Sequence, residues 1–256
     1  MFEEFDKKIV VVTGASRGIG KTIAREFGKH GSAIMCLATK KENCSTVVDE
    51  IRNAGGTAFA FGCRVEMSNE VTQTFEAIKV EHGPVDILVN NAGVSLPMPT
   101  LSMTEDNWNQ HMDINCKSIF LCSQAVARMV KDNNGGNIVN IGSILGRNAV
   151  PATLGYCTTK AAIDQMTKVL AIEWARYGIR VNCVAPGYVR TELIDRLAEE
   201  GKIALDDLKK RTPQKRLGTE KEVAAAVMFA VGEHSTFMTG ETLVVDGGWT
   251  AFGYYN

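Results

Sequence analysis

Short apolar runs alternate along this chain with longer amphipathic segments. Residues 9–12 are β-branched with no polar position, which is typical of a parallel strand buried on both faces. Six further segments have this character, and helical periodicity fills the stretches between them. The predicted strands are 9–12, 33–38, 57–62, 85–89, a fifth ending at 143, 180–184 and 242–246. The alternation predicts an α/β fold with one doubly wound parallel sheet of about seven strands.

The helices predicted between these strands span 41–54, 69–82, 104–132, 155–177 and 219–231, after a first helix ending near 30. The segment 188–217 is charged, irregular and interrupted by Pro213. This pattern predicts a helical lid over a pocket and not a core element. No repeat, low-complexity stretch or linker interrupts residues 1–256, so we predict a single domain.

Composition excludes several classes of function. The 256 residues are 45% hydrophobic and 22% charged with a net charge of −1, so neither nucleic acid nor a membrane surface is an expected partner. No apolar run approaches a membrane span, and the acidic start is not expected to be a signal peptide. Seven cysteines without a Cys-x-x-Cys pair predict a reducing, cytoplasmic location. Four scattered histidines predict no metal site.

A glycine-rich turn follows the first predicted strand and opens the first helix. Gly14 suits the tight turn, Gly18 suits a close approach of the backbone to a pyrophosphate, and Gly20 suits close helix–strand packing. The spacing G-x-x-x-G-x-G differs from the general G-x-G-x-x-G fingerprint. The context predicts a dinucleotide phosphate site, and the alternative is a plain strand–helix turn.

The end of the second predicted strand is where a dinucleotide fold selects its cofactor. An acidic residue there binds the ribose 2′-hydroxyl of NAD, but this chain has Thr39 and Lys40. Together with Arg17 in the glycine turn, these residues offer hydroxyl and cationic groups for a 2′-phosphate. We therefore predict NADP(H) over NAD(H). The alternative is that Lys40 and Lys41 only open an exposed helix.

Tyr156 and Lys160 lie one turn apart on the same face of a predicted helix. A lysine ammonium beside a phenol stabilises the phenolate, so such a tyrosine can exchange a proton with a substrate oxygen. The spacing alone is common among helices. Ser143, which ends the preceding apolar run, and the glycine turn strengthen the assignment. These residues together predict acid–base chemistry beside a dinucleotide.

The combined motifs resemble those of the short-chain dehydrogenase/reductase family, in its single-domain branch. They fall in the family's order and cover nearly the whole chain. The resemblance implies a Rossmann-type fold and the reversible reduction of a ketone to a secondary alcohol. The matching motifs are Thr13-Gly14-x-x-x-Gly18-x-Gly20, Asn90-Asn91-Ala92-Gly93, Asn115, Ser143, Tyr156-x-x-x-Lys160 and Pro186-Gly187-x-x-x-Thr191.

The resemblance implies a role for each of four catalytic residues. Tyr156 would protonate the carbonyl oxygen as hydride arrives, and Ser143 would hydrogen-bond that oxygen. Lys160 would stabilise the Tyr156 phenolate and hold the nicotinamide ribose. Asn115 would anchor a water that connects Lys160 to solvent.

The resemblance also implies a set of cofactor-binding residues. Asn91, Val189 and Thr191 would lie on the nicotinamide side. Arg64 departs from the family pattern, because many members have an acidic or amide residue there for the adenine; arginine can stack on the ring but cannot accept a hydrogen bond. The expected set is Gly14, Ser16, Arg17, Gly18, Ile19, Gly20, Thr39, Lys40, Arg64, Val65, Asn91, Ala92, Gly93, Tyr156, Lys160, Pro186, Gly187, Val189 and Thr191.

The expected substrate pocket is mostly apolar, with Arg147 and Arg190 as the nearby cations. This lining favours a small or medium hydrophobic ketone. The expected pocket residues are Ser143, Leu145, Leu154, Tyr156, Tyr188 and Leu193, with Ile144, Ala149 and Val150 beside them.

Other functions remain open for this chain. Overall it is similar to 3-ketoacyl carrier-protein reductases, but Asn134 and Tyr177 occupy the positions where those enzymes tend to present arginines. The ending Gly247-Gly248-Trp249-Thr250-Ala251 is similar to polyol, gluconate and carbonyl reductases. A nonenzymatic NADP-binding regulator is a remote alternative, because all four catalytic positions are present. The resemblance implies a homotetramer paired through the helices 104–132 and 155–177, with Tyr254 and Tyr255 reaching a neighbouring subunit.

Overall fold

The computed structural model describes residues 3–133, 135–201 and 203–253, except for the side chains of Glu3 and Leu193. Seven parallel strands form the central sheet: β1 (Ile9–Thr13), β2 (Ala33–Ala38), β3 (Thr57–Gly62), β4 (Ile87–Asn90), β5 (Gly136–Ile141), β6 (Ile179–Pro186) and, last in the chain, β9 (Thr242–Val245). Their order across the sheet is β3-β2-β1-β4-β5-β6-β9. The predicted doubly wound parallel sheet is confirmed.

Nine α-helices are formed by the described residues: α1 (Gly18–Lys29), α2 (Ser45–Asn53), α3 (Ser68–His82), α4 (Glu105–His111), α5 (Ser118–Val130), α6 (Leu154–Trp174), α7 (Glu192–Glu199), α8 (Leu205–Arg211) and α9 (Glu220–Val231). Helices α1, α2 and α9 pack on one face of the sheet. Helices α3, α5 and α6 pack on the other. No helix of the described residues has both the length and the apolar character that a membrane span requires.

Alternation along the strands builds both cores. In β1, Val10 and Val12 belong to the core beneath α1 and α9, while Val11 belongs to the core beneath α3 and α5. All three side chains are fully buried. A strand covered on both faces needs apolar residues at every position, which is why the sequence shows a continuous β-branched run there.

Several predicted boundaries differ from the structure, and two of these differences bear on the candidate site. Strand β5 ends at Ile141 and not at 143, because Ser143 begins a short 3₁₀ helix, Ile144–Gly146. The predicted helix 104–132 is divided into α4, a π-helical segment Met112–Lys117 and α5. Ile144 is only 2% exposed, so it belongs to the interior and not to the expected pocket wall.

The segment 188–217 contains α7 and α8, but its two ends belong to the core. Val189 and Leu217 are buried, at 6% and 7% exposure. Strands β7 (Val189–Arg190) and β8 (Gly218–Thr219) pair as a small separate sheet, which the sequence did not predict. The segment is therefore anchored at both ends, and its lid function stays a prediction.

Candidate active site

The residues singled out from the sequence lie beyond the carboxyl ends of β1, β4, β5 and β6. The sheet order reverses between β1 and β4, since β2 and β3 lie on one side of β1 and the later strands on the other. Ligands of open α/β sheets bind in the crevice at such a reversal. The fold therefore brings the glycine turn and the Asn90–Gly93 segment to one site.

The glycine turn is shaped by backbone that other residues would not tolerate. Gly14 and Gly18 have positive φ angles of 63° and 59°. A Cβ on Gly14 would lie 2.9 Å from Ala92 Cα, and one on Gly20 would overlap Asn91 Nδ2. Gly20 thus makes room for a neighbouring strand's side chain, in addition to its expected role in helix packing.

Thr13 and Asn91 join this turn to the end of β4. Asn91 Nδ2 donates to the carbonyl oxygens of Thr13 and Gly14 at 2.9 and 3.1 Å. Thr13 Oγ1 accepts from the backbone N–H groups of Asn91 and Ala92 at 2.9 and 3.0 Å. The sequence predicted only cofactor contact for Asn91, whereas the structure gives its amide a second role in holding the glycine turn.

The start of α1 fits the phosphates of a dinucleotide. Its N-cap residue Arg17 makes no side-chain capping bond, and its first turn contains no acidic residue. The first backbone N–H groups of such a helix are free to bind an anion. Arg17, Thr39 and Lys40 are exposed around it, and neither cation forms an ion pair with any described residue.

Arg64 is held by Glu70. Its Nε donates to Glu70 Oε1 at 2.6 Å, its Nη2 bonds the same oxygen, and its backbone N–H donates to Glu70 Oε2 at 2.8 Å. These hydrogen bonds lower the pKa of the Glu70 carboxyl. The guanidinium is fixed in place and exposed, so its flat face remains open to an adenine ring.

Helix α6 carries Tyr156 and Lys160 on one face. Lys160 Nζ lies 5.6 Å from the centre of the Tyr156 ring and donates to the carbonyl oxygen of Ile141 at 2.7 Å. Lys160 is 6% exposed and forms no ion pair with any described residue. Its ammonium is thus desolvated, anchored to the end of β5 and close to the phenol.

Ser143 and Asn115 approach the same site from β5 and the π-helical segment. Ser143 Oγ accepts from Leu145 N at 3.1 Å, which leaves its hydroxyl hydrogen available for another acceptor. Asn115 is fully buried; its carboxamide bonds the N–H and carbonyl of Val94 and also Thr159 Oγ1. Its side chain therefore joins the loop after β4 to α6, and the water relay stays a prediction. π-helical turns are frequent at functional sites.

Comparisons with known proteins agree with this geometry. A family model described as "Enoyl-(Acyl carrier protein) reductase" matches residues 14–250. An NAD-dependent glycerol dehydrogenase of Listeria innocua is 36% identical over 255 residues, covering 97% of this chain and 98% of that protein. A short-chain type dehydrogenase/reductase of Mycobacterium marinum has a TM-score of 0.92 and 34% identity, with 98% of each chain covered.

The chain belongs to the short-chain dehydrogenase/reductase family. It is an oxidoreductase that uses a nicotinamide cofactor. A further relative is a gluconate 5-dehydrogenase of Burkholderia cenocepacia, solved in complex with NADP and tartrate, with a TM-score of 0.92, 35% identity and coverage of 98% of this chain and 99% of that one. Relatives of similar identity thus differ in substrate and cofactor.

In this short-chain dehydrogenase/reductase, the loop after β6 contains Gly187 and Thr191, which are expected to contact the cofactor. Gly187 N donates to Val245 O at 2.9 Å, and a Cβ on Gly187 would meet Asp246 at 2.8 Å. Thr191 Oγ1 accepts from Ile194 N at 3.3 Å and thereby caps α7. The Thr191 side chain thus has a structural role in addition to its expected cofactor contact.

The expected substrate pocket is lined by apolar and aromatic groups. Tyr188 packs against Trp249 at a tilted angle with ring centres 4.7 Å apart, and burial raises the pKa of Tyr188, with smaller contributions from Cys157 and Tyr156. Tyr188 therefore stays protonated, and its ring is expected to form part of the pocket lining. Leu154 is 42% exposed at the start of α6, and Leu145 is half-buried. The side chain of Leu193 lies outside the described residues.

Both cations near the pocket are paired within the chain. Arg147 Nε lies 3.2 Å from Asp164 Oδ2, and Arg190 Nε lies 3.0 Å from Asp195 Oδ1. Their side chains are 44% and 68% exposed. Neither pair leaves an uncompensated positive charge at the pocket.

A buried network of hydrogen-bonded polar side chains, not predicted from the sequence, connects the elements beneath the site. Asn90 Nδ2 donates to Asn140 Oδ1 and to Ser123 Oγ, each at 2.9 Å. Asn140 Nδ2 donates to Thr167 Oγ1 at 2.9 Å, so the network links α5, β4, β5 and α6. The signal available in the sequence was an asparagine at the end of each of two apolar strands.

Proposed function

We propose that this protein is an NADPH-dependent reductase that converts a ketone to a secondary alcohol, with Tyr156 as the acid. The observation that carries the proposal is the desolvated ammonium of Lys160, which is anchored to Ile141 and lies beside the Tyr156 ring without a carboxylate partner among the described residues. An unpaired buried cation at this place stabilises a phenolate.

Three residues of the site would each have a separate role in the reduction. Bound NADPH would supply the hydride. The Ser143 hydroxyl would donate a hydrogen bond to the substrate oxygen and so stabilise the negative charge that develops there. Tyr156 would transfer its phenolic proton to that oxygen, and Lys160 would stabilise the phenolate left behind.

Support for NADPH comes from three exposed residues around the start of α1 and the end of β2. Arg17 and Lys40 have no ion-pair partner among the described residues, and Thr39 adds a hydroxyl. A 2′-phosphate would pair with both cations. The solved relative with NADP supports this assignment, whereas the glycerol dehydrogenase relative is NAD-dependent.

Support for an uncharged, hydrophobic substrate comes from the pocket. The expected lining residues Leu145, Leu154 and Tyr188 are apolar or aromatic, and the nearby Arg147 and Arg190 are paired with carboxylates. Neither arginine therefore presents an unpaired positive charge that would favour an anionic substrate. A small or medium ketone with an apolar substituent fits this lining best.

Two alternatives concern the substrate. The names of two relatives, a glycerol and a gluconate dehydrogenase, favour a polyol or hydroxy acid. The family model's description favours a carrier-bound acyl thioester. Against the latter, Arg176 follows the far end of α6, ~30 Å along the helix from Tyr156, so it does not adjoin the cleft of its own chain. Asn134 lies outside the described residues.

We also infer a homotetramer. Besides the expected pocket residue Leu154, three large apolar side chains are exposed on the two helices that the family pairs: Phe120 on α5, and Val169 and Ile172 on α6, at 45%, 42% and 79% exposure. An assembly through α5 and α6 would remove them from water. Tyr254 and Tyr255, expected to reach a neighbouring subunit, lie outside the described residues.

The test of the catalytic assignment is Tyr156→Phe. We expect ketone-dependent NADPH oxidation to fall at least ~10²-fold, because general acid catalysis contributes on that scale. NADPH affinity, measured by fluorescence titration, should change little because the ring is kept. The substrates are aryl and alkyl ketones, keto-sugars and an acetoacetyl thioester.

The outcomes discriminate between the functions. Near-normal turnover by the variant would refute Tyr156 as the acid. Wild-type activity confined to the thioester would replace the free-ketone assignment with the acyl-carrier one. If the protein bound NADPH but neither reduced any of the ketones nor oxidised the corresponding alcohols, the nonenzymatic regulator would be supported.

A further inference from the structure

Segment 94–98 leaves β4 and passes beside the start of α6, and every second residue in it is anchored. Val94 is bonded through both its N–H and its carbonyl to Asn115, at 2.8 and 2.9 Å. Met98 N donates to the carbonyl oxygen of Ala152 at 2.8 Å. Ser95 and Pro97, between the anchored residues, are exposed. Alternate residues of the segment are thus bonded as in a strand, but to side chains and to one backbone carbonyl and not to a neighbouring strand.

Leu96, the middle anchored residue, is held by two side chains one turn apart on α4. Its N–H donates to His111 Nε2 at 3.2 Å, and its carbonyl accepts from Asn107 Nδ2 at 3.3 Å. His111 is 1% exposed and Asn107 is 9% exposed. Residues 107, 111 and 115 therefore form three successive anchors on one helical face, set four residues apart.

The partners of His111 define its tautomer. Nδ1 lies 2.8 Å from the carbonyl oxygen of Asn107, which can only accept, so Nδ1 carries the hydrogen. Nε2 is then the acceptor that the Leu96 N–H requires. Both ring nitrogens are thus used, and loss of Nε2 would leave a buried N–H of the segment without a partner.

His111 also contacts the helix that carries the acid. A Cβ added to Gly155 would lie 2.7 Å from His111 Nδ1, so the imidazole fills the space that glycine leaves next to Tyr156. Ala152, three residues earlier, has a left-handed φ of 62° and directs its carbonyl at Met98 N. Alanine adopts that conformation only at a cost, which the surrounding structure must offset.

We propose that His111 is a positioning residue: it fixes segment 94–98, which directly follows the expected cofactor residues 91–93, against the start of α6 and so sets the spacing between the nicotinamide site and Tyr156. The inference rests on the proposed function, because spacing matters only if hydride and proton meet at one carbonyl. Misplacement of reacting groups by about 1 Å can cost ~10²-fold in rate.

The test compares two amides that differ by one methylene. His111→Gln places an oxygen near the position of Nε2 and can still accept from Leu96 N. His111→Asn reaches only the Nδ1 position, so it keeps the bond to Asn107 and loses Leu96. We expect His111→Asn to lower kcat at least ~10-fold with the KM for NADPH within about 2-fold, and His111→Gln to retain kcat within about 3-fold.

A second readout does not depend on the reaction. Amide hydrogen exchange at Leu96 should accelerate at least ~10-fold in His111→Asn and remain close to wild type in His111→Gln. If His111→Asn does not fold, Asn107→Ala, which removes only the bond to the Leu96 carbonyl, should lower kcat by about 3-fold in the same direction.

Equal kcat in both His111 variants and the wild type would overturn the proposal, as would unchanged Leu96 exchange in His111→Asn. Parallel losses of thermal stability with kcat unchanged would assign His111 a purely structural role and also overturn it. A wild-type enzyme inactive on every ketone would instead refute the proposed function, and the exchange data alone would then decide whether His111 holds the segment.

Discussion

Single side chains at the end of β2 are expected to select the cofactor. We predict that Lys40→Glu lowers kcat/KM with NADPH at least ~10-fold, since it replaces a charge-assisted contact to the 2′-phosphate with repulsion. The value with NADH should change less than about 3-fold, because NADH has no 2′-phosphate. Steady-state kinetics with both cofactors measure the ratio.

Lys41→Glu is the matched control, because Lys41 is also exposed but lies one position further, inside a 3₁₀ helix, Lys41–Cys44. It should leave the preference for NADPH nearly intact. A larger effect at Lys41 than at Lys40, or equal kcat/KM for the two cofactors in the wild type, would contradict our assignment of Lys40.

At the scale of residues, the sequence predicted which side chains lie at the cleft but not what holds them. The four-residue spacing of Tyr156 and Lys160 is local, so helix geometry alone places them together. The bond from Asn91 to the carbonyl of Thr13 joins residues 78 positions apart, and no local pattern encodes it. His111 shows the same limit, because its partner Leu96 is brought to it by the tertiary fold.

Among the elements, the N-terminal cap of α9 is expected to make the stability of the protein depend on pH. Thr219 and Glu222 form a capping box at its start, and Arg216 Nη2 lies 2.6 Å from Glu222 Oε1. The hydrogen bond from Arg216, followed by that from Thr219 N, lowers the pKa of Glu222 to about 2 from 4.5. Because the folded-state pKa is depressed, the stabilisation is complete above about pH 4.5 and is lost as the pH falls toward 2.

We therefore predict that Glu222→Gln lowers the Tm at pH 7 by about 2–4 °C, the usual effect of weakening a helix cap in a chain of this size. The difference from wild type should narrow as the pH falls from 4.5 toward 2, measured by differential scanning calorimetry. Glu105→Gln, in the first turn of α4, is the control. A difference that is the same at every pH would mean that the Glu222 charge contributes nothing.

Elements with one continuous pattern were predicted closely, and those with a change of geometry were not. Strand β2 was predicted at 33–38 and observed at Ala33–Ala38, because its apolar run is bounded by polar residues on both sides. The π-helical segment Met112–Lys117 was predicted as ordinary helix. One extra residue in a turn barely changes the apolar periodicity of a long helix, so this segment could not be recognised from the sequence.

For the whole molecule, the proposed tetramer makes a direct prediction. Ile172→Glu should dissociate the assembly, because it would bury a charge where 79% of an apolar residue is now exposed on α6. Size-exclusion chromatography with light scattering measures the mass. Val80→Glu on α3 is the control, since Val80 is 82% exposed but lies outside the paired helices. An unchanged mass in Ile172→Glu would remove α6 from the interface.

The fold as a whole was predictable because strand and helix alternate without interruption, and right-handed connections then leave few possible sheets. The small sheet of β7 and β8 was not, because two strands of two residues each carry no periodicity. Its pairing depends on the chain returning after α7 and α8, which only the complete structure shows.

The asparagine pair beneath the cleft has a consequence for how the chain reaches this fold. Asn90 and Asn140 are direct partners across β4 and β5, and the positions before them on both strands, Leu88–Val89 and Ile138–Val139, are apolar. Apolar strands alone slide past one another at little cost, but a slip of one residue would turn one carboxamide to the opposite face. Each asparagine would then be buried without its hydrogen-bond partner. Burying an unsatisfied carboxamide costs far more free energy than displacing a valine from its native neighbours. The pair therefore favours the native register of β4 and β5 over misaligned pairings during folding.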